Sequence, residues 1–200
     1  MQRPAFIGIC FCVLLFASDC SAGTWYDADF QPRVEVEYQV LLSSGMKTAL
    51  EKHVPGFELW KARDFNPMLR ALYDYKSYHR DRDFLAYQTL SAVVGDFNGD
   101  GLPDAALMGH TKTDEVFLVV LSKGIGYEVV EIYKYPYKGG EKMGAREAYL
   151  EYAAPQKLKP NVEKNSLNLK HDGIIHAGFE KGSSLYYFSN GKFLEYTLSD

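Results

Sequence analysis

The feature that most constrains this chain is a run of acidic residues and glycines between two apolar segments. From residue 96 the sequence reads DFNGDGLPD, with oxygen-bearing side chains at its first, third, fifth and ninth positions. Alternate side chains of a tight loop point inward, so we expect Asp96, Asn98 and Asp100 to converge, with Asp104 closing the site. The backbone carbonyl of Leu102 stands at the seventh position. This spacing predicts a loop around a hard cation that takes about six to eight oxygen ligands.

The residues around the loop indicate which kind of cation loop it is. Gly101 permits a sharp turn that a Cβ would obstruct. An EF-hand requires a bidentate glutamate at the twelfth position and a helix on each side. Here the twelfth residue is Leu107, in an apolar run, and residues 92–94 are also strand-like. The loop is therefore predicted to connect two strands, and a divalent ion would relieve its charge of about −3.

Residues 94–107 (VGDFNGDGLPDAAL) resemble the calcium loop of FG-GAP and VCBS repeats, found in integrin α-chain propellers and in many secreted bacterial proteins. The resemblance implies one calcium ion, held by the four oxygen-bearing side chains and the Leu102 carbonyl. Propellers repeat such a motif at intervals of roughly 40–50 residues, whereas this chain contains one copy. A full propeller is therefore not expected. The order of helices, one calcium loop and a terminal hairpin also resembles small secreted proteins of unknown function.

Calcium in one loop between two strands is expected to be mainly structural, because an ion that binds only the folded state stabilises that state. At free calcium of about 100 times the Kd, the contribution is about 2.7 kcal/mol. The alternative interpretation is a turn without metal, since Asp, Asn and Gly are ordinary turn formers.

The N-terminal segment has the organisation of a secretory signal peptide. Arg3 precedes a mostly apolar run from Ala5 to Ala17, and small residues follow that run. The run is shorter than the about 20 residues that a helix needs to cross a bilayer. Cleavage after Ala22 is expected, which leaves residues 23–200 as a single domain that is secreted or periplasmic.

All three cysteines, Cys10, Cys12 and Cys20, lie in this segment. The mature chain then has no cysteine for disulfides, cysteine catalysis or a zinc site. Lipid attachment at Cys20 is the alternative to cleavage after Ala22. Asp19 disfavours it, because that position of a lipoprotein site takes a small neutral residue. No later apolar run approaches the length of a membrane span, so no transmembrane segment is expected after cleavage.

The rest of the sequence predicts an α+β fold, with N-terminal helices packed on a mostly antiparallel β-sheet. Helical spacing follows a Ser43-Ser44-Gly45 breaker and stops at Pro55-Gly56, and Asn66 as N-cap before Pro67 indicates a second helix start. Asn190-Gly191 predicts a type I′ hairpin turn. Short β-branched or aliphatic runs predict strands at residues 93–94, 105–108, 116–121, 127–133, 147–152, 174–179, 184–188 and 193–197.

Few residues outside the loop suggest catalysis, and the chain lacks a nucleophile elbow and a phosphate-binding loop. His171 and His176 are five residues apart in a predicted strand region, which places them on opposite faces rather than in a metal pair. His110 ends the strand after the loop and is a candidate to lie near it, although a solvated histidine at a strand end is the favoured interpretation. The sequence favours a binding or structural protein with no catalytic centre. The alternative is a secreted hydrolase with carboxylates or His110 beside the loop.

Tyr133, Tyr135 and Tyr137 alternate along a predicted strand, so they share one face. An exposed aromatic strip of this kind would bind a protein or a glycan, and the alternative is that the rings pack on the core. Nucleic acid is not an expected partner. The 22 Lys and Arg residues are outnumbered by 26 Asp and Glu residues, and the net charge of −4 repels a phosphate backbone.

Overall fold

The structure, a computed structural model, describes residues 39–79, 87–136, 145–159 and 165–199, without the side chains of residues 74–79. The predicted signal peptide, with Cys20, and Tyr137 lie outside these residues. Within the described ranges, no helix is both long and apolar enough to cross a membrane.

The described residues contain two α-helices, α1 (Ser44–His53) and α2 (Pro67–His79), and a short 3-10 helix, Ala62–Asp64. The second helix begins at Pro67, as the sequence predicts, whereas α1 begins at Ser44, inside the Ser43-Ser44-Gly45 segment that was expected to precede the helix. The Met46 N–H donates to Ser43 Oγ (3.2 Å), and the Met68 N–H donates to Asn66 Oδ1 (2.9 Å). Each side chain satisfies a backbone donor that the first turn leaves without a helical partner.

Twelve strands make up most of the regular structure in the described residues. They are β1 (Glu58–Leu59), β2 (Gln88–Thr89), β3 (Ala92–Gly95), β4 (Asp104–His110), β5 (Asp114–Ser122), β6 (Tyr127–Pro136), β7 (Ala148–Ala153), β8 (Gln156–Leu158), β9 (Leu167–Leu169), β10 (Gly173–Gly178), β11 (Ser183–Ser189) and β12 (Lys192–Ser199). The first sheet has the order β2-β3-β4-β5-β6, and β1 pairs with the end of β4. The second sheet has the order β12-β11-β10-β7, and β8 pairs with β9. All these strand pairs are antiparallel.

The predicted α+β class is wrong, because the described residues are mostly β, with two short α-helices among them. Its largest core cluster joins the two sheets: Phe117 and Val119 of the first sheet are buried with Leu150 and Ile174 of the second. Each sheet has an apolar face that must leave water, and the other sheet covers it. The sequence prediction had assigned that covering role to the helices.

The opposite face of the first sheet forms a second core cluster. Met46 and Leu50 of α1 are buried there with Leu107 of β4 and Leu118 of β5. Strands covered on both faces are apolar on both faces, which explains why β4 and β5 are apolar runs without alternation. The predicted strands at residues 105–108 and 116–121 are confirmed by these elements.

Candidate metal centre

The acidic loop connects β3 to β4, and Gly95 and Asp104 form the last residue pair of the two strands. This confirms the prediction that the loop lies between strands. The chain reverses direction through Gly99 (φ 78°) and Gly101 (φ 81°). Both angles lie in the left-handed region, which glycine enters without the steric cost of a Cβ. The two glycines therefore determine the backbone conformation from which the acidic side chains project.

Asp96, the first predicted ligand, accepts three backbone hydrogen bonds from its own loop. Its Oδ1 accepts from the N–H groups of Gly99 (2.8 Å) and Asp100 (3.0 Å), and its Oδ2 accepts from the Gly101 N–H (2.9 Å). These donors place partial positive charge around the carboxylate. The Asp96 side chain is therefore held inside the loop rather than directed into solvent.

Asn98 and Asp100 lie on the outer part of the loop and contact each other. Asn98 Nδ2 donates to Asp100 Oδ2 (3.1 Å) and to the Ser122 carbonyl at the end of β5 (3.2 Å). Asn98 Oδ1 accepts from the Asp100 N–H (2.9 Å), and Asp100 Oδ1 accepts from the Leu102 N–H (2.9 Å). The structure thus brings these predicted ligands into one network and ties them to β5.

Asp104 closes the loop from below and is fully buried. Its Oδ2 accepts from the Phe97 N–H (2.9 Å), and its Oδ1 accepts from the Ser122 N–H (2.7 Å). Burial raises the pKa of Asp104 to about 6, because it disfavours the charged form, while these backbone donors act in the opposite direction. Asp104 therefore fixes the base of the loop to β5, a partner that the sequence motif does not reveal.

The remaining acceptor capacity of these carboxylates is what a cation would use. A carboxylate offers about four lone-pair directions, and the donors described above occupy at most three in each of Asp96, Asp100 and Asp104. Within the described ranges, no three His, Cys, Asp or Glu side chains are gathered as a ready metal site. The donor set fits a hard cation such as calcium, and binding requires the outer side chains to turn toward the ion.

Asp172, which directly precedes β10, contacts the loop from the second sheet. Its Oδ2 accepts from the Asp96 N–H (2.8 Å), its N–H donates to the Asp96 carbonyl (3.3 Å), and its Oδ1 accepts from the Tyr152 hydroxyl (2.7 Å). The exposed ring of His171 lies against Gly99. No local pattern indicates this contact, since Asp172 before a glycine is typical of an ordinary turn.

His110 and His176 lie away from the loop. His110 is at the other end of β4 from Asp104, about 20 Å along the strand, where its ring contacts Trp60 with centroids 4.2 Å apart. The suggestion that His110 lies near the loop is therefore wrong. His176 lies within β10 and His171 precedes that strand, so the two do not occupy opposite faces of one strand.

In the described residues, Tyr133 and Tyr135 of the predicted tyrosine strip share one face as expected, and a β-bulge before Tyr133 sets which face this is. The pairing of β5 with β6 shifts between Phe117 and Leu118, and Tyr133 is paired with Phe117. Tyr133 therefore faces the second sheet, with its hydroxyl 3.4 Å from His176 Nε2. Tyr135 is 61% exposed and stacks on Tyr133, with centroids 5.0 Å apart. In the described part of the strip, Tyr135 is the residue that a partner can reach.

The largely buried His176 makes a contribution to stability that falls on acidification, whereas the raised pKa of Asp104 acts in the opposite direction over the same pH range. Burial lowers the pKa of His176 below its ordinary 6.5, against the opposing effect of Glu115 and Glu195. The unfolded chain then binds more protons than the folded one as the pH falls through 6.5, so acid favours unfolding. For one proton the slope is at most about 1.4 kcal/mol per pH unit.

Urea unfolding of the parent and of His176→Gln at about pH 7.5 and about pH 5 measures this effect. The parent should lose more stability than the variant. His53→Gln, on the exposed end of α1, is the control and should behave like the parent. Equal losses in the parent and in His176→Gln would contradict the assignment.

Comparisons of the chain with protein-family models, with curated proteins and with solved structures find no match. The resemblance of residues 94–107 to FG-GAP and VCBS calcium loops therefore remains an interpretation of those residues alone.

Proposed function

We propose that this is an extracytoplasmic protein that binds one calcium ion in the loop from Asp96 to Asp104, with a mainly structural role for the ion. The observation that carries this proposal is the arrangement of the loop carboxylates. Asp96 and Asp104 are fixed by backbone donors and retain acceptor capacity, while Asp100 lies on the outer part of the same loop. Two positive-φ glycines hold the backbone in the required path.

Charge gives the loop a reason to bind a divalent cation. Asp96, Asp100 and Asp104 carry like charges within nine residues, and the Asp172 carboxylate accepts a bond from the backbone N–H of Asp96 in the same loop. Like charges at short range repel, most strongly where burial reduces screening by water. A divalent ion removes this repulsion, and oxygen donors in this number favour calcium over softer metals.

The contacts of the loop support a structural role. Asn98 Nδ2 and the Asp104 carboxylate both bond to the backbone of Ser122. An ion held by these side chains would connect the β3–β4 turn to the end of β5. Such an ion adds to stability without requiring a catalytic group.

We further propose that the protein works by binding a partner, a protein or a glycan, through a surface that includes Tyr135. Its exposed ring supports this proposal. The hydrolase alternative lacks His110 as a neighbour of the loop, since that side chain lies beside Trp60. Localisation outside the cytoplasm rests on the predicted signal peptide at residues 1–22.

Thermal unfolding with calcium and with a chelator tests the structural role. At calcium of about 100 times Kd, the parent should gain about 2.7 kcal/mol, or a Tm rise of about 5–11 °C. Asp100→Ala should lose most of this rise, because it removes an outer carboxylate of the loop. Glu131→Ala, an exposed carboxylate of β6, is the matched control and should keep it. No rise in the parent, or an equal rise in Asp100→Ala, would count against the proposal.

A further inference from the structure

We propose that Asp172 is a positioning residue that couples the loop to the second sheet, so that cation binding stabilises the junction between the two sheets. This inference rests on the proposed calcium binding. It adds a residue outside the loop motif and a consequence for a part of the fold that the motif does not touch.

Asp172 is joined to the backbone of Asp96 by two hydrogen bonds. The Asp172 carboxylate accepts from the Asp96 N–H (2.8 Å), and the Asp172 N–H donates to the Asp96 carbonyl (3.3 Å). Both backbone polar groups of the first predicted ligand are thus bonded to one residue. The position of the Asp96 Cα, and with it the reach of its carboxylate, depends on Asp172.

The segment of His171 and Asp172 approaches the loop closely at Gly95 and Gly99, on either side of Asp96. A Cβ on Gly95 would lie 2.9 Å from Asp172 Oδ2, and a Cβ on Gly99 would overlap the His171 ring. Atoms at those separations overlap, so the segment of His171 and Asp172 packs directly on the loop backbone. Movement of the loop therefore requires movement of this segment.

Asp172 is also connected to the body of the second sheet. Its other carboxylate oxygen accepts from the Tyr152 hydroxyl (2.7 Å), and Tyr152 pairs with Ile174 in the register of β7 and β10. Burial and the bond to Asp172 raise the pKa of Tyr152, so the phenol stays protonated and remains a donor. One carboxylate thus bonds the loop on one side and β7 on the other.

These contacts give cation binding a route to the second sheet. An ion that orders the Asp96 carboxylate also restricts the Asp96 backbone. That backbone is bonded to Asp172, which is bonded in turn to Tyr152 of β7, the strand that pairs with β10. Restriction of local opening slows amide hydrogen exchange in the restricted elements. Calcium should therefore protect β7 and β10 as well as the loop itself.

Hydrogen exchange of the purified protein with calcium and with a chelator, together with calorimetric titration, tests this coupling. In the parent, calcium should slow exchange in residues 96–104, 148–153 and 173–178. In Asp172→Asn, protection should be confined to residues 96–104, and the calcium Kd should rise at least about fivefold. Tyr152→Phe keeps the Asp172 charge but removes the bond to β7, so it should lose protection of β7 and β10 with a smaller change in Kd.

Tyr196→Phe is the control for general destabilisation of the second sheet, because it removes a bond to the Asn165 carbonyl away from the loop. It should keep the parent Kd and the parent pattern of protection. Equal protection of β10 in the parent and in both Asp172→Asn and Tyr152→Phe would overturn the inference. The inference would also be overturned if calcium bound to the parent without protecting β10 from hydrogen exchange. A parent that binds no calcium overturns the proposed function, and the coupling with it. If Asp172→Asn fails to fold, Tyr152→Phe supplies the comparison.

Discussion

Replacing Asp104 with alanine is expected to destabilise the protein by up to about 6 kcal/mol and to abolish its response to calcium. The substitution leaves the buried N–H groups of Phe97 and Ser122 without their acceptor, and each such group costs about 1–3 kcal/mol. Relief of the cost of burying the carboxylate offsets part of this loss. The calcium response disappears because a predicted ligand is removed.

Asp104→Asn is the matched variant. Its amide keeps one acceptor oxygen and turns a donor toward the other N–H. Its free energy of unfolding should therefore lie between that of the parent and that of Asp104→Ala. Urea unfolding with calcium and with a chelator measures both effects. If Asp104→Ala keeps the stability of the parent, or the same gain in stability from calcium, the role assigned to Asp104 is contradicted.

The second large effect is expected at Phe117, where alanine should cost about 3–5 kcal/mol. The ring lies between the sheets, with edge contacts to Tyr133 and Tyr186 at 5.5 Å and a stacked contact to His176 at 5.8 Å between centroids. Its removal leaves a cavity at the contact on which the sheet-to-sheet packing depends. For a protein of this size, the loss corresponds to a Tm lower by about 6–20 °C.

A conservative variant at Phe117 and a control at an exposed position test this prediction. Phe117→Leu refills most of the cavity and should cost less than Phe117→Ala. Ile125→Ala, at a fully exposed turn position, should change stability by less than about 0.5 kcal/mol. A loss below about 1 kcal/mol in Phe117→Ala would show that the two sheets do not depend on this contact.

Features set by neighbouring residues were predictable from the sequence. The cap at Asn66 formed as expected. Asn190 (φ 52°) and Gly191 (φ 80°) have the positive angles that a type I′ turn requires. The loop glycines behaved in the same way, since the need for positive φ is a property of a single residue. These signals act over a few residues and need no knowledge of the fold.

Features set by distant residues were not predictable. The fold class failed because an apolar face does not indicate whether a helix or a second sheet will cover it. A bulge opposite Phe117 turned Tyr133 inward, and simple alternation along a strand does not anticipate such a shift. Asp172 lies 76 residues from Asp96 along the chain, and a pair at that separation leaves no periodic signal.

Calorimetric titration of the purified protein with calcium tests the central claim most directly. One ion should bind per chain in the parent, and binding should weaken strongly or disappear in Asp100→Ala while Glu131→Ala binds as the parent does. Absence of binding in the parent, or equal affinity in Asp100→Ala, would contradict the assignment of the loop from Asp96 to Asp104 as a calcium site.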